Sequence, residues 1–293
     1  MKKKNRAAQF LLLLAIGIIA VLVVFPFWLL ISASVSNGEV LMKQGYQIWP
    51  NPFDFSAYQY IFKNPDTILR AYGVTAVYSV VSMVLSTLLM AMVAYPLTRS
   101  GLKGRSQINF YLYFTTLFGG GLVPSYLLIA KFFHMNDTMW VYIIPGLISP
   151  WYVFMMKTSF KTGVPNEIIE AATIDGASEY KIFFQMILPL SKPVIATVAL
   201  MVFLAHWNNW NTALIYITDP KLYSLQYLLQ KIMEDINTLK MNAQAGIDLG
   251  GIEIPSETIR MAMAMVVAGP ALLVFPFFQK YFVKGLTVGS VKG

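Results

Sequence analysis

The residues able to do chemistry are few and unevenly placed. Two histidines, 14 acidic side chains and no cysteine are spread over 293 residues. Thiolate nucleophiles, disulfides and thiolate metal sites are excluded, and two histidines leave little for zinc. One run combines aromatic and hydrogen-bonding groups: His206-Trp207-Asn208-Asn209-Trp210-Asn211. On a continuous helix, Leu204, Trp207, Asn208, Asn211 and Ile215 share one face. An indole beside two amides suits a sugar, because the ring packs on C–H faces and the amides bond hydroxyls. The same residues also suit an aromatic belt with amides bonded between helices. Trp151, Tyr152, Tyr113 and Phe118 are further candidates for contacts of this kind. His206 by itself reads as a hydrogen-bonded structural residue, and His134 has no acidic relay around it. Asp137 is placed to cap the following element through Thr138.

A second group is acidic: Glu167-Ile168-Ile169-Glu170-Ala171-Ala172-Thr173-Ile174-Asp175-Gly176. Pro165 and Asn166 start a helix there, with Glu167 near the positive end of its dipole. Gly176 suits the C-terminal cap, where a left-handed backbone is easiest without a Cβ. Ser178 caps a second helix over 180–187, and Pro189 and Pro193 bracket the approach to the next apolar stretch. Ala171 and Ala172 give the first helix a small-residue face that another protein can approach closely.

The elements that must position these groups belong to a membrane. Hydrophobic residues make up 57% and charged residues 12% of the chain, against roughly 45–50% and about 25% in soluble domains. Six stretches, 10–34, 71–98, 108–130, 139–156, 193–217 and 261–278, have the length and composition expected of spans. Gly119-Gly120-Gly121, Pro124, Pro145 and Pro150 interrupt the third and fourth. Such breaks are tolerated where neighbours re-satisfy the backbone, and are typical where a helix lines a pathway. The first stretch follows Lys2-Lys3-Lys4-Asn5-Arg6 but is longer than a signal-peptide core, so it reads as a retained span. With the N-terminus inside, 14 of 22 Lys and Arg lie on the cytoplasmic side and ten of 14 acids lie outside. The net charge of +8 is thus a topology signal, and no nucleic-acid partner is implied.

Three segments between spans exceed simple turns. Residues 35–70 lie outside and carry Trp49-Pro50-Asn51-Pro52, a rigid turn, then Phe53, Phe55, Tyr58, Tyr60 and Phe62. Residues 218–258 also lie outside, with an amphipathic helix over 223–239 and a loop at Gly250-Gly251. Both segments either pack over the helices or meet an external partner. The third, 157–192, is cytoplasmic and holds the acidic motif.

Several function classes fall away. The spans hold almost no acid, which disfavours a membrane enzyme and a proton- or sodium-coupled carrier. A channel would leave the acidic motif unexplained. Gly101-Leu102-Lys103-Gly104-Arg105-Ser106 lacks the spacing of a phosphate loop, so ATP chemistry must come from a partner.

Glu170-Ala171-Ala172, Gly176, Met186 and Leu188-Pro189 together resemble the cytoplasmic signature of permease subunits of binding-protein-dependent ABC importers. The family usually has Ile where this chain has Met186. The chain is similar to the sugar-importer branch, to the second permease of the maltose system, and more closely to a subgroup associated with complex oligosaccharides. Gly120-Gly121-Leu122-Val123-Pro124, Ser191-Lys192-Pro193, His206-Trp207-Asn208 and the tail from Lys284 to Gly293 carry that closer likeness.

The resemblance implies an all-α, six-span, type I importer permease with both termini cytoplasmic. Residues 1–9 would be the N-terminus, 10–282 the permease domain and 283–293 a tail that reaches the ATPase interface. A cytoplasmic coupling helix would engage an ATPase through Glu167, Glu170, Ala171, Ala172, Asp175, Gly176, Leu188 and Pro189. Trp207, Asn208, Asn211, Tyr152, Trp151 and Phe118 would line the substrate pathway. Partners would be a second, homologous permease in a heterodimer, two ATPase subunits, and a lipid-anchored or periplasmic solute-binding protein. ATP and Mg would reside in the ATPase subunits, with no catalytic residue, metal or cofactor in this chain. The cargo would be a carbohydrate, an oligosaccharide above all, with peptide, lipid or polyamine as alternatives. The location would be the bacterial plasma (inner) membrane.

Overall fold

The computed structural model describes residues 6–246 and 257–289. Among the described residues the regular structure is helical, apart from one isolated antiparallel bridge between Ser36 and Phe53. Gly250-Gly251 and the last four residues lie outside the described residues. The chain divides into two compact units, Met1–Asp66 with Leu229–Pro270, and Thr67–Leu228 with Ala271–Gly293.

Among the described residues, three helices are long and apolar enough to cross a membrane: Gln9–Ser34, Pro65–Thr98 and Thr258–Tyr281. They correspond to the first, second and sixth expected stretches. The last continues as helix to Gly289, so the expected tail begins inside it. The other three stretches are not continuous helices. The third splits into Arg105–Leu117 and Leu122–Phe132, bent by 114°. The bend falls at Gly119-Gly120-Gly121, where Gly121 takes a positive φ of 83°, open to glycine without strain. The fourth is Trp140–Ile143, a short 3₁₀ turn Ile144–Gly146 containing Pro145, and Pro150–Gly163. Pro150 opens the last helix, where its missing N–H leaves no bond unmade. The fifth stops at Trp207 and restarts as Asn211–Tyr216.

In the first unit the long helix gathers the chain that follows it. The Trp28 indole donates to the Ile48 carbonyl at 2.9 Å and the Ser32 hydroxyl to that of Gln47 at 2.7 Å. Trp49 lies 6.2 Å from both the Trp28 and Phe53 rings. Asn37 caps the helix Gly38–Gln44 and donates to Asp54 at 3.0 Å. The Ser56 backbone N–H on Asp54 holds that carboxyl below its ordinary value. The expected amphipathic helix is Leu225–Gln244, and Lys240 on it pairs with Glu257.

The second unit has a single large apolar core. Met90, Ala94 and Leu97 meet Val153, Met156 and Phe160, with Val198 and Val202 from Lys192–Trp207. Ser79, Ser82 and Ser86 are fully buried. Such small residues let neighbouring backbones approach closely. Ile169, Ile182, Phe183 and Ile187 from the acidic segment join the same core.

Asp137 does not cap through Thr138, whose hydroxyl donates to Met135 at 2.7 Å. Instead its carboxylate accepts the Thr218 N–H and hydroxyl, each at 2.5 Å, and the Asp219 N–H at 2.8 Å. Its own N–H donates to Tyr216 at 3.1 Å. The residue sits at a φ of +52°, which Asp tolerates better than most. The Thr218 hydroxyl, then the Asp219 and Thr218 amides, hold the carboxyl below the usual 3.8. A depressed carboxyl contributes stability that is present above the unfolded pKa and lost as pH falls through the folded one. Asp137→Asn is expected to lower the thermal midpoint of the purified complex at pH 7 by about 2 °C, the group being exposed. The difference from wild type should close as pH falls below 3.8, which scanning calorimetry between pH 7 and the acid limit checks.

Candidate functional site

The acidic segment forms the helix Asn166–Ile174, preceded by Pro165 in extended backbone. Pro165 has no capping side chain, and Glu167 takes the first turn as expected. The helix ends in a Schellman motif. The Gly176 N–H bonds Thr173 O at 3.1 Å and the Ala177 N–H bonds Ala172 O at 2.9 Å. Gly176 has a φ of +77° with nothing within 4 Å of an added Cβ. Its requirement is therefore conformational and not spatial.

The two faces of this helix differ. Ile169 is buried and Ala172 packs on the core. Glu167, Glu170, Ala171 and Ile174 follow an i, i+3, i+4, i+7 stripe, and all four are exposed. Ile174 is 87% exposed, a large aliphatic residue presented beside two carboxylates. The sequence reading passed over it, although it falls off the inward stripe.

Ser178 accepts the Lys181 N–H at 3.3 Å and opens the next helix. That helix runs Glu179–Leu190 and passes through a π-helical stretch, Phe183–Ile187. Pro189 has no N–H for an ordinary turn and its ring crowds the carbonyl four residues back, so the wider turn relieves both. Pro189 thus lies inside the helix, and the 82° bend to Lys192–Trp207 follows it. Nearby, the Lys157 ammonium donates to Asn109 at 2.6 Å, and burial, with Arg105 and Lys161 close, pushes its pKa down.

The second candidate region lies where two helices break. Ser149, just before Pro150–Gly163, and Asn209, after Lys192–Trp207, border one cavity of about 240 Å³. Its lining comprises Met90, Gly146, Ser149, Tyr152, Val202, Ala205, His206 and Asn209. Backbone freed by the breaks is re-bonded from the surrounding helices. Tyr78 Oη donates to His206 O at 3.0 Å and Ser224 Oγ to Asn209 O at 3.1 Å. Tyr78 in turn stacks on Tyr142 at 4.4 Å. Asn209 caps Asn211–Tyr216 by accepting the Thr212 N–H at 3.1 Å. The buried Nδ1 of His206 has no hydrogen-bond partner among the described residues. Gly146 packs beside the imidazole, where a Cβ would make an ordinary contact at 3.4 Å from His206 Cε1.

The break changes the face expected from a continuous helix. Trp207 is buried at 4% exposure and stacks on Phe203 at 5.6 Å. Asn208 donates to Leu204 O at 2.9 Å and accepts from Gln226 at 3.0 Å. Asn211 is exposed at the start of the following helix. Tyr152 lines the cavity, whereas Trp151 is 71% exposed. Phe118 is exposed and stacks on Phe114 at 4.6 Å. Of the six pathway candidates, only Tyr152 reaches the cavity. Ser149, His206 and Asn209 were missed as cavity residues. Their signal was the coincidence of a Pro-bounded break and an Asn-rich one.

Residues 69–288 match the family described as binding-protein-dependent transport system inner membrane component. The chain belongs to this family. It is 35% identical to the polygalacturonan/rhamnogalacturonan transport system permease protein YtcP of Bacillus subtilis, over 99% of this chain and 100% of that one. Protein LplC of Bacillus subtilis is likewise 35% identical, over 99% of this chain and 97% of that one. The crystal structure of a bacterial ABC transporter involved in import of the acidic polysaccharide alginate matches at a TM-score of 0.77 and 26% identity. It covers 96% of this chain and 99% of that chain. The fold is therefore that of a type I ABC permease. The chain is an inner-membrane permease subunit that works with ATPase subunits and a solute-binding protein, and it has no ATPase site of its own.

Gly176→Val should uncouple transport from ATP hydrolysis, because a β-branched residue resists positive φ. Gly176→Asn should retain most coupling, since Asn tolerates the left-handed region. Ala172→Asp, which sets a charge against the core, should uncouple as strongly as the valine. Uptake per ATP hydrolysed in proteoliposomes checks the order.

Proposed function

We propose that this chain is one of two different permeases of a bacterial plasma-membrane importer for an oligosaccharide. The observation that carries the reading is the cavity at the paired helix breaks, mainly apolar in its lining but reached by four hydrogen-bonding side chains. Irregular backbone at membrane depth is tolerated where it lines a cavity, and discontinuous helices mark transporter binding sites. Ser149, Tyr152, His206 and Asn209 offer uncharged donors and acceptors that match sugar hydroxyls. At about 240 Å³ the cavity is smaller than the roughly 300–1,000 Å³ of a complete small-molecule site. It is one wall of a pathway that the second permease completes. Asn208 and Asn211 border the approach to it, with Trp151 and Phe118 exposed for the partner. The likeness to YtcP, a polygalacturonan/rhamnogalacturonan permease, and to the alginate importer supports a carbohydrate cargo.

In this reading the bent pair Arg105–Leu117 with Leu122–Phe132, the broken fourth stretch, and Lys192–Trp207 with Asn211–Tyr216 complete six spans, with both termini cytoplasmic in keeping with the charge count. Residues 1–9, 10–282 and 283–293 are then N-terminus, permease domain and tail. Two ATPase subunits hold ATP and Mg, and this chain holds no cofactor. The stripe Glu167, Glu170, Ala171 and Ile174 seats in one ATPase, with Asp175 and Gly176 shaping its end. Leu188 and Pro189 turn the chain toward the fifth span. Closure of the ATPases then moves the spans as a body. A lipid-anchored or periplasmic binding protein delivers the sugar.

The test is ATP hydrolysis by the reconstituted complex, with binding proteins loaded from a panel of pectic, arabinan and alginate oligosaccharides. Stimulation by one loaded partner supports the reading and names the cargo; stimulation by none overturns it. His206→Ala and Asn209→Ala should each lower stimulated uptake by about three- to tenfold, the effect of one lost hydrogen bond, with ATPase subunits still co-purifying. Trp207→Ala should instead reduce assembly, because truncating a buried Trp removes about 3–5 kcal/mol of packing.

A further inference from the structure

Glu179 is the first residue of the helix that follows Gly176 and Ser178. Its two carboxylate oxygens reach different partners on another element. Tyr95 Oη donates to Oε2 at 2.5 Å, and the Arg99 guanidinium lies 3.3 Å from Oε1. Both partners flank the 3₁₀ turn Pro96–Thr98 that ends the Pro65–Ala94 helix. The partners also support one another, with the Arg99 guanidinium 5.9 Å from the centre of the Tyr95 ring. Tyr95 is 4% exposed and its ring lies 5.5 Å from that of Phe183, one turn beyond Glu179.

We propose that Glu179 is a positioning residue that ties the cytoplasmic segment to the second span, so that the two move together. This rests on the reading of the acidic helix as the ATPase-contacting element. The apolar contacts around Phe183 hold the segment against the span, but hydrophobic contact is non-directional and lets packed helices slide. A carboxylate bonded to a buried phenol and a guanidinium is directional. Only two residues separate Gly176 from Glu179, so displacement of Asn166–Ile174 reaches the tie almost at once. Without the tie, that displacement is spent in the turn at Gly176, and ATP is hydrolysed without opening the pathway. The Arg99 ion pair alone is too exposed to matter much. The bond from Tyr95 makes the difference, because its donor belongs to a buried ring and its acceptor is charged, which makes the contact directional.

The test uses the whole complex in proteoliposomes with a loaded binding protein. Glu179→Gln keeps the shape but replaces the charged acceptor of Tyr95 with a neutral amide, which bonds the phenol more weakly and no longer pairs with Arg99, so folding is retained while the directional tie is weakened. It should leave basal ATP hydrolysis and the thermal midpoint unchanged while sugar moved per ATP falls about fivefold. Tyr95→Phe should lower the same ratio. The double variant should be no worse than Glu179→Gln alone, as expected of two residues acting as one unit. A wild-type ratio in both single variants overturns the proposal, as does an additive loss in the double variant. A midpoint that falls in step with the ratio also overturns it, since the contact would then be only structural support. Failure of the functional reading looks different: the wild-type complex itself would show no stimulation by the loaded binding protein.

Discussion

The second unit depends on one constraint: the acidic segment buries its apolar residues in the same core as the spans. Ile169, Ile182, Phe183 and Ile187 lie at 4% exposure or less, among Met90, Val153, Met156 and Val198. Interiors are close-packed and bistable, not continuously deformable. A push on the exposed stripe of Asn166–Ile174 would therefore meet packed side chains at Ile169. The polar ties at Glu179 and the Schellman turn at Gly176 act within that frame. An exposed helix without the buried isoleucines would touch a partner and transmit nothing.

The same core makes broken helices possible. Each break releases backbone groups that cannot stay unpaired away from water. Tyr78 and Ser224 supply donors at the break after Trp207, and Met90 receives the Ser149 N–H. The Tyr78–Tyr142 stack fixes the phenol that does this. Polar residues at membrane depth are costly unless they face a cavity or each other. Here Ser149, Tyr152, His206 and Asn209 face a small recess whose remaining lining is apolar.

How far the site was legible depends on whether local or distant contacts decide it. The helix over the acidic motif, its glycine cap and its following Ser178 cap are set by residues within a few positions, and each was read correctly. The pathway residues were not. Placing Trp207 beside Asn208 and Asn211 assumed one continuous helix, and the chain breaks between them. Asp137 misled for the same reason: its carboxylate prefers Thr218 and Asp219, which are distant in sequence, to the adjacent Thr138. Ile174 went unnoticed because exposure of an aliphatic residue is invisible until the packed face is known.

Composition by itself marked this as a membrane protein, since 57% hydrophobic and 12% charged residues gathered into long apolar stretches depart from what soluble domains carry. Motif spacing determined the family, because a capped helix with a small-residue face and a glycine end is a local design. The sequence also located the glycines and prolines at which the third and fourth stretches are interrupted. Tertiary structure alone decided which breaks meet, which of His206, Trp207 and Asn208 faces the recess, and which partners Glu179 holds. Those outcomes depend on side chains 60 to 150 positions apart coming within hydrogen-bond reach. No pattern along the chain encodes such distances; they follow from how the helices pack.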